Sequence, residues 1–219
     1  MIKPIHENAD FLVVDKAPNL ACIPEGDKER ECLLQQLEEQ FAQKFFIVHR
    51  LDKEASGIMI FAKNAETHKF LSELFEQRAM KRTYLVLVHG RVKDASGIIK
   101  NKLREFGSGR MGVDGVGGKE AITAYDRIKA YQKMSLLRAK PETVRRHQLR
   151  VHFYGLEHPI VGDRKYGNKA IQAPFPRLML HAESLEFNLP DGSTVKFESA
   201  SAHNFLNQAR TLAYADSAS

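Results

Sequence analysis

Apolar residues occur along the chain in short runs that are bounded by polar turns. The run at 11–14 predicts a strand that ends at the Pro18-Asn19 turn, and 57–62 is a continuous apolar run of strand length. Residues 82–92 are rich in β-branched and aromatic residues, which is typical of a strand. Further strands are predicted at 119–129, 134–140, 178–187 and 194–198.

Other segments repeat their apolar residues at helical spacing. Helices are predicted at 32–44, 64–77, 145–155 and 203–212. In the first of these, Leu33, Leu34, Leu37 and Phe41 fall on one face. In the second, Asn64 is a suitable N-cap. Because helices separate only some of the strands, this order predicts an α+β protein with a mixed, largely antiparallel sheet and flanking helices.

Composition favours an ordinary globular chain. The 219 residues are enough for one domain or two intimate lobes, and we expect a single domain over 1–212 with a frayed tail at 213–219. Apolar stretches stay well short of the roughly 18 residues that a membrane span needs, and the first ten residues lack a signal-peptide core. With Cys22 and Cys32 in no partner motif, the expectation is a cytoplasmic protein without disulfides.

Charge is distributed unevenly. The net charge is only +6, but residues 25–39 contain six acids and two bases, whereas residues 78–104 contain eight bases and one acid. Such asymmetry is typical of a protein that binds a polyanion on one face. The alternative is a solvated strand face with no ligand.

Several apparent motifs do not hold up. The stretch GSGRMG at 107–112 matches a dinucleotide fingerprint, but it runs into further glycines where a helix should begin. We therefore predict a mobile loop at 107–118, either a plain connector or an arm that contacts phosphates through flanking bases. The histidines lack metal-ligand spacing, so no metal site is expected, and Ser56 and Ser72 lie outside a G-x-S-x-G motif.

Asp52 is the strongest catalytic candidate. It lies in VHRLDKEASGIMIFAKN, in a polar loop that leads directly into the apolar run. An aspartate there could simply cap a turn, but a loop on a rigid strand is also a good mount for a reactive group. A carboxylate nucleophile must stay ionised and oriented, which a guanidinium achieves. Arg50 precedes Asp52 by two residues, and Arg150 is a candidate partner.

Five stretches in order along the chain together resemble the RluA-type RNA pseudouridine synthases. They are FLVVDKAPNL, HRLDKEASGIMIFAKN, KRTYLVLVHG, RRHQLRVHFYGLEHPIVGDRKYG and LMLHAESLEF. Ala55, Val144 and Arg146 depart from the usual pattern, but no departure removes a proposed catalytic group. The catalytic pattern begins almost at once, so the chain resembles the short, catalytic-domain-only form.

The resemblance implies isomerisation of uridine in RNA to pseudouridine, which needs no cofactor, metal or ATP. Asp52 would attack the ribose or assist elimination, Tyr84 would lie against the base, and Arg150 would pair with Asp52. Arg50 would fill the space left by the flipped base, and further contacts with RNA are expected from Lys81, Arg82, Arg146 and His147. The expected partner is a stem-loop of ribosomal or transfer RNA, bound by a monomer.

Two alternatives remain open at this point. One is a non-catalytic RNA-binding protein on the same scaffold, which the presence of Asp52, Tyr84 and Arg150 disfavours. The other is a glycoside or nucleoside hydrolase that uses Asp52. A hydrolase usually needs a second carboxylate as its acid, and Glu54 is the nearby candidate.

Overall fold

The computed structural model describes residues 1–24, 32–107 and 109–216. It has two compact units: the first comprises Met1–Arg82 with His181–His203, and the second Thr83–Leu180 with Asn204–Ser219. The strands are β1 Pro4–Glu7, β2 Phe11–Lys16, β3 Phe46–Ile47, β4 Ser56–Ala62, β5 Lys81–His89, β6 Ser96–Glu105, β7 Met111–Val113, β8 Lys119–Ala130, β9 Met134–Pro141, β10 Leu180–Asn188 and β11 Thr194–Glu198. The helices are α1 Leu33–Phe41, α2 Ala65–Glu76, α3 Gln148–Gly155, α4 Lys169–Gln172 and α5 Ala202–Ala215.

Strand β4 is the centre of the first unit. All seven of its residues are buried, which explains why its sequence is a continuous apolar run rather than an alternating one. It pairs antiparallel with β2 and β3 and parallel with β10, while β1 extends the sheet beyond β2 and β11 pairs antiparallel with β10. The sheet of this unit is therefore mixed, as predicted.

Helix α2 follows β4 directly and begins as the sequence predicts. The Asn64 side chain accepts a hydrogen bond from the Thr67 amide at 2.8 Å, which satisfies one of the free N–H groups of the first turn. Helix α1 ends at Phe41, three residues before the predicted end. The reason is Ala42, whose φ of 50° takes the backbone into the left-handed region.

The second unit is built on an antiparallel sheet. Its strands follow the order β5-β9-β8-β6-β7, and the predicted pair at 119–129 and 134–140 is present as β8 and β9. Helix α5 extends to Ala215, so 213–215, which the prediction placed in the tail, are helical. Ala213 is fully buried on that helix.

The prediction of an irregular loop at 107–118 is wrong in part. Strand β7 lies within it and pairs with the end of β6, so that β6 and β7 form an antiparallel hairpin. We call residues 96–107 and 109–113 the basic hairpin, because Lys100, Lys102, Arg104 and Arg110 are all exposed on it. Strands β1, β3 and β6 and helix α4 were also not predicted from the sequence. Residues 25–31 of the acidic segment lie outside the described residues.

Candidate active site

The peptide groups on both sides of Asp52 are held by side chains from strand β2 and the loop after it. The Cys22 thiol donates to the Leu51 carbonyl at 3.2 Å and accepts from the Leu51 amide at 3.4 Å. On the other side, the Lys16 ammonium donates to the Lys53 carbonyl at 2.9 Å. Since the Ala55 amide donates to the Asp52 carbonyl at 3.1 Å, the backbone at Asp52 is fixed in a tight turn.

The Lys16 ammonium is almost fully buried, which is costly for a charged group unless its hydrogen bonds are made. Its three N–H groups have three carbonyl acceptors, those of Ala17, Leu20 and Lys53, at 2.8 to 2.9 Å. A lysine has three donors, so the site satisfies all of them. Burial also raises the pKa of the Cys22 thiol, which favours the protonated form that donates to Leu51.

His49 holds the start of the loop. Its ring stacks on Phe75 of α2 with centroids 4.8 Å apart, and its Nε2 accepts a hydrogen bond from the Ile60 amide of β4 at 3.1 Å. Loss of solvation lowers the pKa of His49 to about 3, and the nearby charge of Arg82 acts in the same direction. His49 is therefore neutral at physiological pH, as its acceptor role requires.

Glycine is required where the loop enters β4. Gly57 has a φ of +112° and lies against β10, where a Cβ atom would overlap the carbonyl oxygen of Ala182. Beside it, the Ser56 hydroxyl bonds to Nδ1 of His181 at 2.8 Å, and Nε2 of the same ring bonds to the Ser199 hydroxyl at 2.9 Å. The exit of the loop is thus fixed to the C-terminal strands of the first unit.

Asp52 itself is half-buried and is the first residue of this turn. The turn geometry agrees with both the capping and the catalytic interpretation. The density of supporting contacts favours the catalytic one, because a surface turn needs neither a buried ammonium nor a buried thiol to form. The described residues contain no group of three His, Cys, Asp or Glu side chains that could hold a metal ion.

Tyr84 and Arg150 both lie in the second unit. Tyr84 is a half-buried residue of β5 and is opposite Ala139 of β9. Arg150 is on α3 and makes a bidentate ion pair with Asp163, with Nε to Oδ2 at 2.9 Å and Nη2 to Oδ1 at 2.8 Å. Both side chains of this pair are almost fully buried, at 2% and 1% exposure, so the guanidinium has a fixed orientation.

Asp163 also organises the turn that follows it. Its Oδ1 accepts hydrogen bonds from the amides of Lys165 and Tyr166 at 3.0 and 3.1 Å. The Tyr166 ring lies 5.4 Å from the Arg150 guanidinium carbon. The side chains of Arg150, Asp163 and Tyr166 therefore form one buried cluster in the second unit.

The proposed catalytic residues lie in a part of the chain that matches a known protein family. The sequence model described as RNA pseudouridylate synthase matches residues 10–154, more than half of the chain, and includes Asp52, Tyr84 and Arg150. The protein belongs to the RNA pseudouridylate synthase family. This confirms the RluA-type resemblance, whose five stretches were found over the same part of the chain and beyond it.

Relatives and a solved structure agree with the family assignment. Ribosomal large subunit pseudouridine synthase D of Borreliella burgdorferi is 37% identical over 73% of this chain and 50% of its own length. tRNA pseudouridine synthase C of Pectobacterium carotovorum is 33% identical over 74% of this chain and 48% of its own. The structure of human RNA pseudouridylate synthase domain containing 1 superposes with a TM-score of 0.77 and 26% identity, covering 96% of this chain and 95% of that one. The chain spans about three fifths of the length of the first curated relatives it matches.

The residues predicted to contact RNA have different environments. Arg50 is exposed, Lys81 is exposed and ion-paired with Glu186 at 2.7 Å, and Arg146 is exposed and ion-paired with Glu105 at 2.6 Å. Arg82, by contrast, is largely buried. It is only 7% exposed, and its guanidinium carbon lies 5.5 Å from the Phe75 ring centroid.

His147 lies just before α3, with a left-handed φ of 53°. The helix therefore begins at Gln148 rather than at the predicted residue 145. The half-buried ring of His147 places Nδ1 at 2.7 Å from the Tyr166 hydroxyl. The residue predicted to touch RNA thus also contacts the buried cluster around Arg150.

Sequence reasoning assigned no role to Lys16, Cys22, Asp163 or Tyr166. Asp163 and Tyr166 fall in the GDRKYG part of a stretch that carried the family resemblance, so a signal for them was present. Lys16 lies in another such stretch. Cys22 had no comparable signal, since its thiol contacts the Leu51 backbone and the Met59 sulfur rather than a group with a proposed catalytic role.

Proposed function

We propose that this protein is an RNA pseudouridine synthase that converts specific uridines of structured RNA into pseudouridine. The observation that carries the proposal is the Asp52 turn, which lies within the family match and is fixed on both sides by Cys22 and Lys16. A nucleophile held in this way loses little freedom when it reacts, which is how positioning contributes to rate.

The reaction leaves the atom count of the RNA unchanged. The bond from ribose C1′ to N1 of uracil breaks, the base turns, and a bond from C1′ to C5 forms while the hydrogen on C5 leaves as a proton and N1 gains one. Asp52 is proposed as the carboxylate that attacks C1′ or assists elimination. Tyr84 is proposed to contact the base, and Arg150 to be the catalytic arginine.

The proposed substrate is a stem-loop of ribosomal or transfer RNA. Two relatives carry names that specify these RNA classes, and the basic hairpin supplies exposed cations suited to phosphates. A uridine must leave its stack before reaction, at a cost of a few kcal/mol that is smallest in loops. Arg50, which is exposed two residues before Asp52, is proposed to occupy the vacated position. We further propose a monomer of one catalytic domain in the cytoplasm.

The test is pseudouridine mapping by carbodiimide modification of total RNA from cells with and without the gene. We expect one or a few modified positions to disappear from ribosomal or transfer RNA, and purified protein to restore them. Identical maps, together with no tritium release from 5-tritiated uridine in any cellular RNA, would instead favour the non-catalytic RNA-binding protein. Free uracil among the products would favour a hydrolase.

A further inference from the structure

The basic hairpin meets the Arg150 cluster at one side chain, Tyr166. Its hydroxyl accepts a hydrogen bond from the Met111 amide of β7 at 3.1 Å and lies 2.7 Å from Nδ1 of His147. A tyrosine hydroxyl can accept one hydrogen bond and take part in a second, so both contacts are made at once. Tyr166 therefore joins the hairpin to the residue that precedes α3.

The tyrosine ring makes a second connection. The guanidinium carbon of Arg110, on the exposed part of the hairpin, lies 5.1 Å from the ring centroid, and that of buried Arg150 lies 5.4 Å from it. Arg110 also donates to the Tyr166 carbonyl at 3.3 Å. The buried Tyr166 ring thus contacts both solvent-exposed Arg110 and buried Arg150, the predicted catalytic arginine.

The interior of the hairpin packs on the same ring. Leu103 and Met111 of the hairpin form a buried apolar cluster with Tyr166 and with Val151 of α3. At 3% exposure Tyr166 has no room to move independently of these neighbours. A shift of the basic hairpin therefore requires a shift of the Tyr166 side chain, and the reverse.

We infer that Tyr166 is a positioning residue that holds Arg110 and the basic hairpin in the orientation that binds RNA phosphates, next to the start of the helix that bears Arg150. The inference rests on the proposed function only in that the ligand is RNA. It adds a residue to which the family match, ending at residue 154, assigns nothing.

Binding of a fluorescein-labelled RNA stem-loop, followed by anisotropy at several salt concentrations, tests this inference. Tyr166→Phe removes one hydroxyl and no charge. It should raise Kd about fivefold, the usual effect of one hydrogen bond, and flatten the slope of log Kd against log salt by about 0.7, the value for one phosphate contact on single-stranded nucleic acid. A residue with a merely structural role would leave that slope unchanged.

A double-mutant cycle with Arg110→Ala gives the second readout. If Tyr166 acts through Arg110, the double variant should bind about as weakly as either single variant, whereas independent effects would multiply. Tyr214→Phe is the matched control, since it removes a hydroxyl from an exposed tyrosine of α5 and should keep both Kd and salt slope. Arg110→Lys, at an exposed position, probes the same contact from outside and should also weaken binding because lysine lacks the planar guanidinium.

Multiplicative effects in the cycle, or an unchanged salt slope for Tyr166→Phe, would overturn the inference. Tritium release by the wild-type protein is measured in parallel. If tritium is released but the effects of the two substitutions multiply, the role of Tyr166 is refuted and the proposed activity stands. If the effects do not multiply but no tritium is released, the proposed activity is refuted and the role of Tyr166 stands.

Discussion

Loss of the Asp163 carboxylate should be costly, because it pairs with the buried guanidinium of Arg150. Asp163→Asn leaves the buried guanidinium of Arg150 without its bidentate carboxylate, and breaking a buried pair in this way costs about 3–5 kcal/mol. Urea unfolding should show a loss of that size in the free energy of unfolding.

Asp126→Asn is the matched control for that change. It also removes an aspartate from an ion pair in the second unit, but Asp126 and Lys140 are both about half exposed. Exposed pairs contribute only about 0–1 kcal/mol. Equal losses in the free energy of unfolding for the two variants would contradict the large contribution assigned to the buried Arg150–Asp163 pair.

The lowered pKa values of two histidines predict how the free energy of unfolding depends on pH. Loss of solvation lowers the pKa of His49 to about 3 and that of His152 to about 4, whereas an unfolded histidine has a pKa near 6.5. Between these values the unfolded chain binds protons that the folded chain does not. Stability should therefore be fully present above about pH 6.5 and fall as the pH is lowered, by up to about 1.4 kcal/mol per pH unit for each histidine.

Urea unfolding at pH 7, 6 and 5 measures this dependence. His49→Gln should make it shallower, because one of the histidines with a lowered pKa is gone. His203→Gln, at an exposed position of α5, should leave it as in the wild type. If His49→Gln retains the full slope, the imidazole is not held neutral as described.

At the scale of single residues, the sequence offered candidates for chemistry but few of the side chains that support them. Asp52 was a candidate because it precedes a continuous apolar run in a segment that resembles the family. The bidentate partner of Arg150 was not, since it lies 13 residues away across a loop whose path depends on tertiary packing. The burial of Arg82 was missed because an arginine in a basic stretch normally points to solvent.

Among the elements, strand β4 depends most on one position. Gly57→Ala would place a Cβ against the Ala182 carbonyl at a φ of +112° and so force apart the parallel pair of β4 and β10. We expect a loss of more than about 3 kcal/mol in the free energy of unfolding, as in other severe backbone changes, together with loss of activity, because β4 carries the Asp52 turn.

Gly192→Ala measures the cost of backbone strain at a positive φ without steric overlap of the added Cβ atom. Gly192 lies in the same unit with a φ of +85°, but a Cβ there meets nothing within 4 Å. Only the left-handed backbone is penalised, at about 1–2 kcal/mol. Chemical denaturation of both variants checks this comparison, and equal losses would contradict the close approach of β4 to β10.

Most elements were predictable because their apolar spacing was regular, but the basic hairpin was not. Strand β6 buries only Ile99 and Leu103 on its inner face, while charged residues occupy much of the rest. This weak alternation and the glycines that follow resemble a loop. The pairing of β6 with β8 over eight residue pairs provides the stability that the local sequence does not show.

At the scale of the whole molecule, the family and the fold class were predicted from the sequence. The mixed sheet with flanking helices follows from the order of elements, and the family match and the human structure confirm it. Two intimate lobes were compatible with the length of the chain, but the bounds of the two compact units were not predicted, because contacts between distant segments define them: His181–His203 return to the first unit after the chain has left it at residue 82. The structure describes no helix long and apolar enough to cross a membrane in residues 1–24, 32–107 and 109–216.

The most direct test of the proposed function compares wild-type protein, Asp52→Asn and Glu54→Gln on cellular RNA that contains 5-tritiated uridine. Pseudouridine formation displaces the hydrogen on C5, so wild type and Glu54→Gln should release tritium to water without free uracil. Asp52→Asn should bind the same RNA with an unchanged Kd and release no tritium, because an amide is a poor nucleophile. Tritium release by Asp52→Asn at the wild-type rate would contradict the assignment of Asp52 as the catalytic carboxylate.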